Sequence, residues 1–66
     1  MSTHGLSPRE LDVSRLIAAG HSNRQIADAF VLSPRTVERN ITNIYLKIEV
    51  HSKSEATAFA LQNLFT

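Results

Sequence analysis

The sequence contains no cysteine. Disulfides and thiolate metal sites are therefore excluded, and with them the usual cross-links of a small secreted domain. A chain of 66 residues forms one domain, and a core of that size rarely contributes more than about 3–5 kcal/mol. Association with a second copy of the chain would add useful stability.

Long hydrophobic runs and a strong net charge are also missing. No apolar stretch approaches the roughly 20 residues that span a bilayer, and residues 1–5 lack the basic and apolar regions of a signal peptide. The sequence thus predicts a cytoplasmic protein without a membrane partner. The net charge is only +1, from 7 Lys+Arg against 6 Asp+Glu, so any indication of a nucleic-acid partner must come from where the charges lie.

What the sequence does contain is a serine-led helix start that recurs four times. In three of them a Glu or Gln follows three residues after the serine, which is the pattern of a complete capping box. Gly20 predicts the end of the first helix. The four starts are Ser7-Pro8-Arg9-Glu10, Ser22-Asn23-Arg24-Gln25, Ser33-Pro34 and Ser52-Lys53-Ser54-Glu55.

These starts, with the helical spacing of apolar residues after each, predict an all-α fold. We expect a four-helix bundle with helices at about 8–19, 23–30, 34–48 and 53–64. Only Val31 and Leu32 separate the second helix from Ser33, which is the tight connection of a helix-turn-helix. Residues 1–5 are predicted to be a disordered tail, and residues 6–66 the domain itself.

The third helix has two contrasting faces. Apolar side chains recur at steps of four, three and four residues and predict the side that packs on the core: Val37, Ile41, Ile44 and Ile48. The opposite side carries Arg35, Arg39, Thr42 and Leu46. A helix that recognises DNA must bury one face and present the other to base edges, so this pattern favours a helix placed in the major groove.

Polar residues are distributed along this helix as DNA contacts require. Near the start, Ser33, Arg35 and Thr36 are candidates for binding phosphate, where free amides and the helix dipole favour negative charge. The next turns carry candidates for base edges, since Arg pairs with guanine, Glu with cytosine, and Thr or Asn with thymine or adenine. These are Glu38, Arg39, Thr42 and Asn43. Further along, Lys47 and Lys53 are candidates for phosphate.

The fourth helix is apolar on two nearly opposite sides. Ala56, Phe59 and Ala60 define one side, and Ala58, Leu61 and Phe65 define the other. One small core does not need both sides. The second side therefore predicts a homodimer interface.

Four blocks of the sequence together resemble the LuxR/GerE-type helix-turn-helix domain of bacterial transcriptional regulators. The blocks span residues 6–10, 20–27, 32–41 and 52–56, and the resemblance extends to about residue 64. It implies a four-helix domain that binds double-stranded DNA without a cofactor, commonly as a dimer through its last helix. It also implies that Glu38, Arg39 and Thr42 face bases, while residues around Thr36, Asn43 and Lys47 face phosphate.

Relatives of this kind usually carry an N-terminal sensing module. The chain is therefore expected to be either a free-standing regulator or a C-terminal piece of a longer one.

The chain departs from the family pattern at several positions. Ser14 stands where relatives usually have a core leucine, and we expect its hydroxyl to bond to the Glu10 carbonyl. Leu46 stands where a basic residue is common, which implies fewer phosphate contacts or an apolar contact with something else. Glu49 replaces the glycine that usually ends the third helix, which predicts a poorer cap.

Other functions fit the sequence less well. His4, His21 and His51 are far apart in sequence, so no metal site is predicted, and the six scattered acids do not form the paired carboxylates of an enzyme. Tyr45, at the flank of the apolar stripe, is expected to pack on the core and not to contact phosphate.

Two alternatives stay open. One is a protein-interaction module of the same fold that dimerises or contacts RNA polymerase, with weak or lost DNA binding. The other is a fragment of a sigma-like factor.

Overall fold

The structure, a computed structural model, describes residues 4–64, and four α-helices account for most of them. The helices are α1 (Pro8–Ala18), α2 (Asn23–Phe30), α3 (Pro34–Ile48) and α4 (Lys53–Asn63). The predicted all-α fold and its four helices are confirmed, with α1 and α4 each ending one residue earlier than expected. No helix in the described range is long and apolar enough to cross a membrane.

Serine caps start the first three helices as predicted. The Ser7 hydroxyl accepts from the Glu10 amide at 3.2 Å, while the Glu10 carboxylate accepts from the Ser7 amide at 2.8 Å. Ser22 and Gln25 make the same reciprocal pair, and Ser33 accepts from the Thr36 amide. These bonds satisfy amides that have no partner within the helix, and so they fix where each helix begins.

The fourth start differs from the prediction. The Ser52 hydroxyl does accept from the Glu55 amide, but the Glu55 carboxylate accepts from the backbone amide of His51 at 3.1 Å and not from that of Ser52. The predicted complete capping box is therefore wrong. Ser52 has φ −150, whereas the cap residue Ser7 has φ −72. With this more extended backbone at Ser52, the Glu55 carboxylate accepts from the amide of His51 in place of the amide of Ser52.

Three helices end on a residue with left-handed backbone. Gly20 after α1 has φ 92, as expected of a glycine at this position, whereas Val31 after α2 has φ 54 and Glu49 after α3 has φ 58. A side chain in this conformation costs roughly 1–2 kcal/mol. The amide that follows each of these residues bonds the carbonyl five residues before it, the pattern of a Schellman motif: His21 to Leu16, Leu32 to Ala27 and Val50 to Tyr45.

The core lies where α1, α2 and α3 meet, and α4 covers it from the side of α1. The four largest fully enclosed side chains are Val13, Ile26, Val37 and Ile44. Ala56 and Ala60 contribute the buried face of α4. On α3, Val37 and Ile44 are buried and Ile41 and Ile48 pack against the core at its edge, so the predicted inward stripe is confirmed.

Ser14 lies within this core, and its environment differs from the prediction. The side chain is buried, yet the hydroxyl has no hydrogen-bond partner among residues 4–64. The expected bond to the Glu10 carbonyl is not made. A buried hydroxyl without a partner costs about 1–3 kcal/mol, so Ser14 weakens the packing of α1 more than the sequence predicted.

Candidate nucleic-acid interface

The outer face of α3 is the candidate interface. Val37 and Ile44 anchor the helix from below, which leaves the opposite side of all four turns uncovered. The side chains predicted to contact base edges lie exposed on this surface: Glu38, Arg39, Thr42 and Asn43. Packing of the inner stripe thus fixes which side chains α3 presents.

The first turns of α3 enclose a shallow hollow, which we call the α3 hollow, lined by Ser33, Arg35, Thr36 and Arg39. Two arginines therefore line a hollow near the amide end of a 15-residue helix. Positive side chains and the helix dipole act in the same direction there, and both favour an anion. Three residues predicted to bind phosphate are thus brought together with Arg39, which was predicted to contact a base.

The hydroxyls of the α3 hollow are already bonded within the protein. Ser33 Oγ accepts from the Thr36 amide at 3.2 Å and lies 2.9 Å from Thr36 Oγ1, so the expected use of Ser33 as a cap is confirmed. The bond between the two hydroxyls uses one hydroxyl proton, and the proton of the other hydroxyl is left for an external acceptor. The charge in the hollow comes from Arg35 and Arg39.

Thr42 uses its hydroxyl proton inside α3. Its Oγ1 donates to the Glu38 carbonyl at 3.0 Å. The oxygen is therefore left as an acceptor, and the methyl group is the part of the side chain still available for an apolar contact. Of the two roles open to a threonine in the major groove, this geometry favours contact with a thymine methyl over donation to a base.

Lys47, predicted to bind phosphate, has a partner within the fold. Its Nζ donates to the Glu10 carboxylate at 2.7 Å, which links the last turn of α3 to the first turn of α1. The Glu10 side chain is only 8% exposed and that of Lys47 is 43% exposed. Burial raises the pKa of Glu10, but the hydrogen bonds from Lys47 and the Ser7 amide, with the charge of Lys47, outweigh it. The net pKa is lowered.

The role of Glu10 in this ion pair is one that the sequence analysis missed. The capping box explains a glutamate at this position without a second partner. Yet Glu10, Val13, Ser14 and Ile17 follow the spacing of one helix face, and all four are buried. An acid on the inner face of a helix requires a cation, and this spacing was a signal in the sequence.

Lys53, the other distant phosphate candidate, also bonds within the protein. Its Nζ donates to the His21 carbonyl at 3.2 Å, which places it between the start of α4 and the loop after α1. The structure does not bring Lys53 into the α3 hollow, whose lining comes from residues 33–39 alone.

The predicted dimer face is open on α4. Leu61 is 56% exposed and Ala58 is exposed, while Ala56 and Ala60 on the opposite side are buried. Phe65, also predicted for this interface, lies outside the described residues. Ala58 and Leu61 form one wall of an apolar groove whose other wall is the end of α1, and we call this the α1–α4 groove; its α1 side is formed by Ile17, Ala18 and Gly20.

Two further expectations concern residues away from α3's outer face. Tyr45 is partly buried and packs against the core, which confirms its expected position, and this burial raises the pKa of its hydroxyl. Across the part of the chain that the structure describes, His, Cys, Asp and Glu side chains form no group of three or more able to hold a metal ion.

Comparison with known proteins identifies the family. The sequence model of the protein family described as bacterial regulatory proteins, luxR family, matches residues 4–60. The response regulator protein VraR of Staphylococcus aureus (strain Mu3) is 38% identical over 58 residues, which cover 88% of this chain and 28% of that protein. VraR proteins of Staphylococcus saprophyticus and Staphylococcus epidermidis match with the same identity and coverage.

The chain thus spans about 28% of the length of these curated relatives. Its four helices, the tight α2–α3 connection and the exposed polar face of α3 agree with this family match. The chain belongs to the luxR family of bacterial regulatory proteins, as a helix-turn-helix domain of the DNA-binding, transcription-regulating class and not an enzyme.

Proposed function

We propose that the chain binds specific sequences in double-stranded DNA, with α3 in the major groove, and that it does so as a homodimer through α4. The observation that carries the proposal is the outer face of α3, a row of exposed polar side chains held in register by a buried inner stripe. The major groove is wide enough to admit an α-helix, and every base pair presents a distinct pattern there.

Base contacts are assigned to three residues of this face. Arg39 pairs with the O6 and N7 acceptors of guanine through two N–H groups, and Glu38 accepts from the amino group of cytosine. Thr42 contacts a thymine methyl, since its hydroxyl proton is donated to the Glu38 carbonyl. Each well-made pair contributes about 1–3 kcal/mol of discrimination against the wrong base.

Phosphate contacts are assigned mainly to the start of α3. Arg35 and Thr36 bind phosphate in the α3 hollow beside the capping hydroxyl of Ser33. Asn43, exposed about two turns further along α3, also binds phosphate. Lys47 retains N–H groups beyond the one that Glu10 accepts, but the pair as a whole is neutral, so its attraction for DNA is weaker. Lys53 contributes from the start of α4.

The first experiment measures binding to selected duplexes at several salt concentrations. Affinity should fall steeply with salt because bound phosphates release counterions. Arg39→Ala should relax the preference at one base pair, whereas Arg35→Ala should weaken all duplexes alike and reduce the salt slope by about 1.

Arg15→Ala is the matched control for these variants. It removes the same charge from α1, where Arg15 lies 3.9 Å from Asp12 on the surface. Its effect on affinity should be small and equal for all sequences. A parent protein that binds no duplex at any salt concentration contradicts the proposal.

The second experiment addresses the homodimer. Leu61→Glu places a charge in the α1–α4 groove and should abolish self-association measured by sedimentation, both alone and on DNA with two half-sites. Gln25→Glu adds the same charge but keeps its capping box, so it should associate like the parent. Equal association of Leu61→Glu and the parent contradicts this interface.

A protein-interaction module with weak or lost DNA binding is the second candidate function. The exposed apolar side chains of Leu46 and Leu61 favour it, with RNA polymerase or a second copy as the partner. Salt dependence separates the two functions. Self-association that persists while no duplex binds supports the second candidate.

A further inference from the structure

Leu46 is the large apolar side chain on the outer face of α3, and it is 74% exposed. An α-helix turns about 100° per residue, so Leu46 lies within about 20° of Arg39 and about 40° of Thr42 around the helix axis. It therefore shares the line of side chains to which base contacts are assigned.

Thr42, one turn before Leu46, adds a second apolar group to the same line. Because its Oγ1 donates to the Glu38 carbonyl, its methyl is the part left for an apolar contact. The two residues are about 6 Å apart along the axis, at about 1.5 Å per residue. That distance corresponds to roughly two base-pair steps of about 3.4 Å.

The major groove offers few partners for the apolar groups of Leu46 and Thr42. Among the groups on the base edges there, the C5 methyl of thymine is the apolar one, and the others are hydrogen-bond donors or acceptors. A leucine side chain placed against a donor, an acceptor or a phosphate would remove water from it without replacing the lost hydrogen bond. Contact with a methyl group carries no such cost.

We propose that Leu46 is a specificity-determining residue that contacts the C5 methyl of a thymine about two base pairs from the base pair contacted by Thr42. This rests on the proposed function, because it requires α3 to lie in the major groove. Leu46 then selects thymine at the far end of the site, where Arg39 and Glu38 do not reach. The recognised sequence carries two thymine methyls, one for each apolar residue.

The test replaces single thymines by deoxyuridine, which lacks only the methyl group. A bound sequence is first selected from random duplexes, and each thymine in one half-site is then replaced in turn. Loss of one buried methyl contact should weaken binding about four-fold. At one position this penalty should disappear in Leu46→Ala, and at another it should disappear in Thr42→Ser, which keeps the hydroxyl and loses the methyl.

Two features keep the experiment interpretable. Leu46 is exposed and alanine is a strong helix former, so Leu46→Ala should fold like the parent. Val31→Ala truncates another exposed apolar side chain, 92% exposed in the turn before α3, and should show every deoxyuridine penalty of the parent.

Other results overturn the proposal. If the parent binds duplexes but no deoxyuridine penalty depends on Leu46, the contact does not exist, although α3 still binds DNA. The same conclusion follows if Leu46→Ala changes the affinity for all duplexes equally. If the parent binds no duplex at all, the proposed function fails, and the contact of Leu46 fails with it.

Discussion

The two ends of α3 are built differently. At its start, Ser33, Arg35 and Thr36 are exposed, and the hydrogen bonds between Ser33 and Thr36 stay within one turn of the helix. At its end, Lys47 bonds to Glu10 on another helix, and Glu49 closes the helix with left-handed backbone. The Arg35 side chain at the start is exposed and can take an external anion, whereas Lys47 at the end is part of the fold.

The difference shows how a small domain can separate binding from stability on a single helix. The arginines proposed to attract DNA are exposed near the start of α3, where their loss should leave the core intact. The end of α3 holds the helix against α1 through Lys47. In the proposed complex it offers the major groove of DNA mainly the apolar side chain of Leu46. Substitutions at the two ends should therefore affect different measurements.

The largest effect on stability is expected from Lys47→Ala. It leaves the Glu10 carboxylate, with its 8% exposed side chain, without a cation, and should lower the free energy of unfolding by about 2 kcal/mol in urea titrations. Lys53→Ala removes an exposed bond to the His21 carbonyl, and should cost only about 0.5 kcal/mol. Equal losses in the two variants would show that the end of α3 is not fixed by its ion pair.

A smaller effect is expected at the start of α3. Ser33→Ala removes the acceptor of the Thr36 amide and should destabilise the domain by about 1 kcal/mol in the same titration. Ser33→Asp keeps a capping acceptor and should retain most of the stability, but it adds a negative charge to the α3 hollow and should weaken DNA binding. If Ser33→Asp binds DNA as well as the parent, phosphate does not occupy the hollow.

A stabilising effect is expected from Glu49→Gly. Glycine adopts φ 58 without the clash of a Cβ, and the thermal midpoint should rise by an amount equivalent to about 0.5–1 kcal/mol. Glu49→Ala removes the same charge but keeps the Cβ, so it should not reproduce the gain. Equal gains in both variants would assign the effect to charge and not to backbone conformation.

The smallest effect is expected from acid. Because the pKa of Glu10 is lower in the fold than its ordinary value, this carboxylate contributes stability above the ordinary pKa of about 4.3. The contribution is lost as the pH falls through the lower pKa of the folded state. The stability of the parent relative to Glu10→Gln, followed by urea titration, should therefore decrease with acid. A constant difference would contradict a lowered pKa.

The start of each helix could be predicted because it depends on residues close together in sequence. A serine hydroxyl reaches an amide three residues ahead, so Ser7, Ser22 and Ser33 each mark a helix start without help from the rest of the fold. The same holds for the buried stripe of α3, which follows from helical spacing. The proposed base contacts of Glu38, Arg39 and Thr42 remain predictions, since they depend on a partner outside the chain.

Contacts between distant segments were decided only by the tertiary structure. The Lys47–Glu10 pair joins residues 37 positions apart, and nothing local to Lys47 distinguishes it from a lysine facing DNA. Ser14 shows that a local expectation can also fail, because its buried hydroxyl makes no hydrogen bond among the described residues, although the expected acceptor was only four residues away. The sequence by itself determined the four helices and the outward face of α3, because both follow from interactions within a few residues. Only the tertiary structure decided which polar side chains, such as Lys47 and Lys53, already have hydrogen-bond partners within the protein.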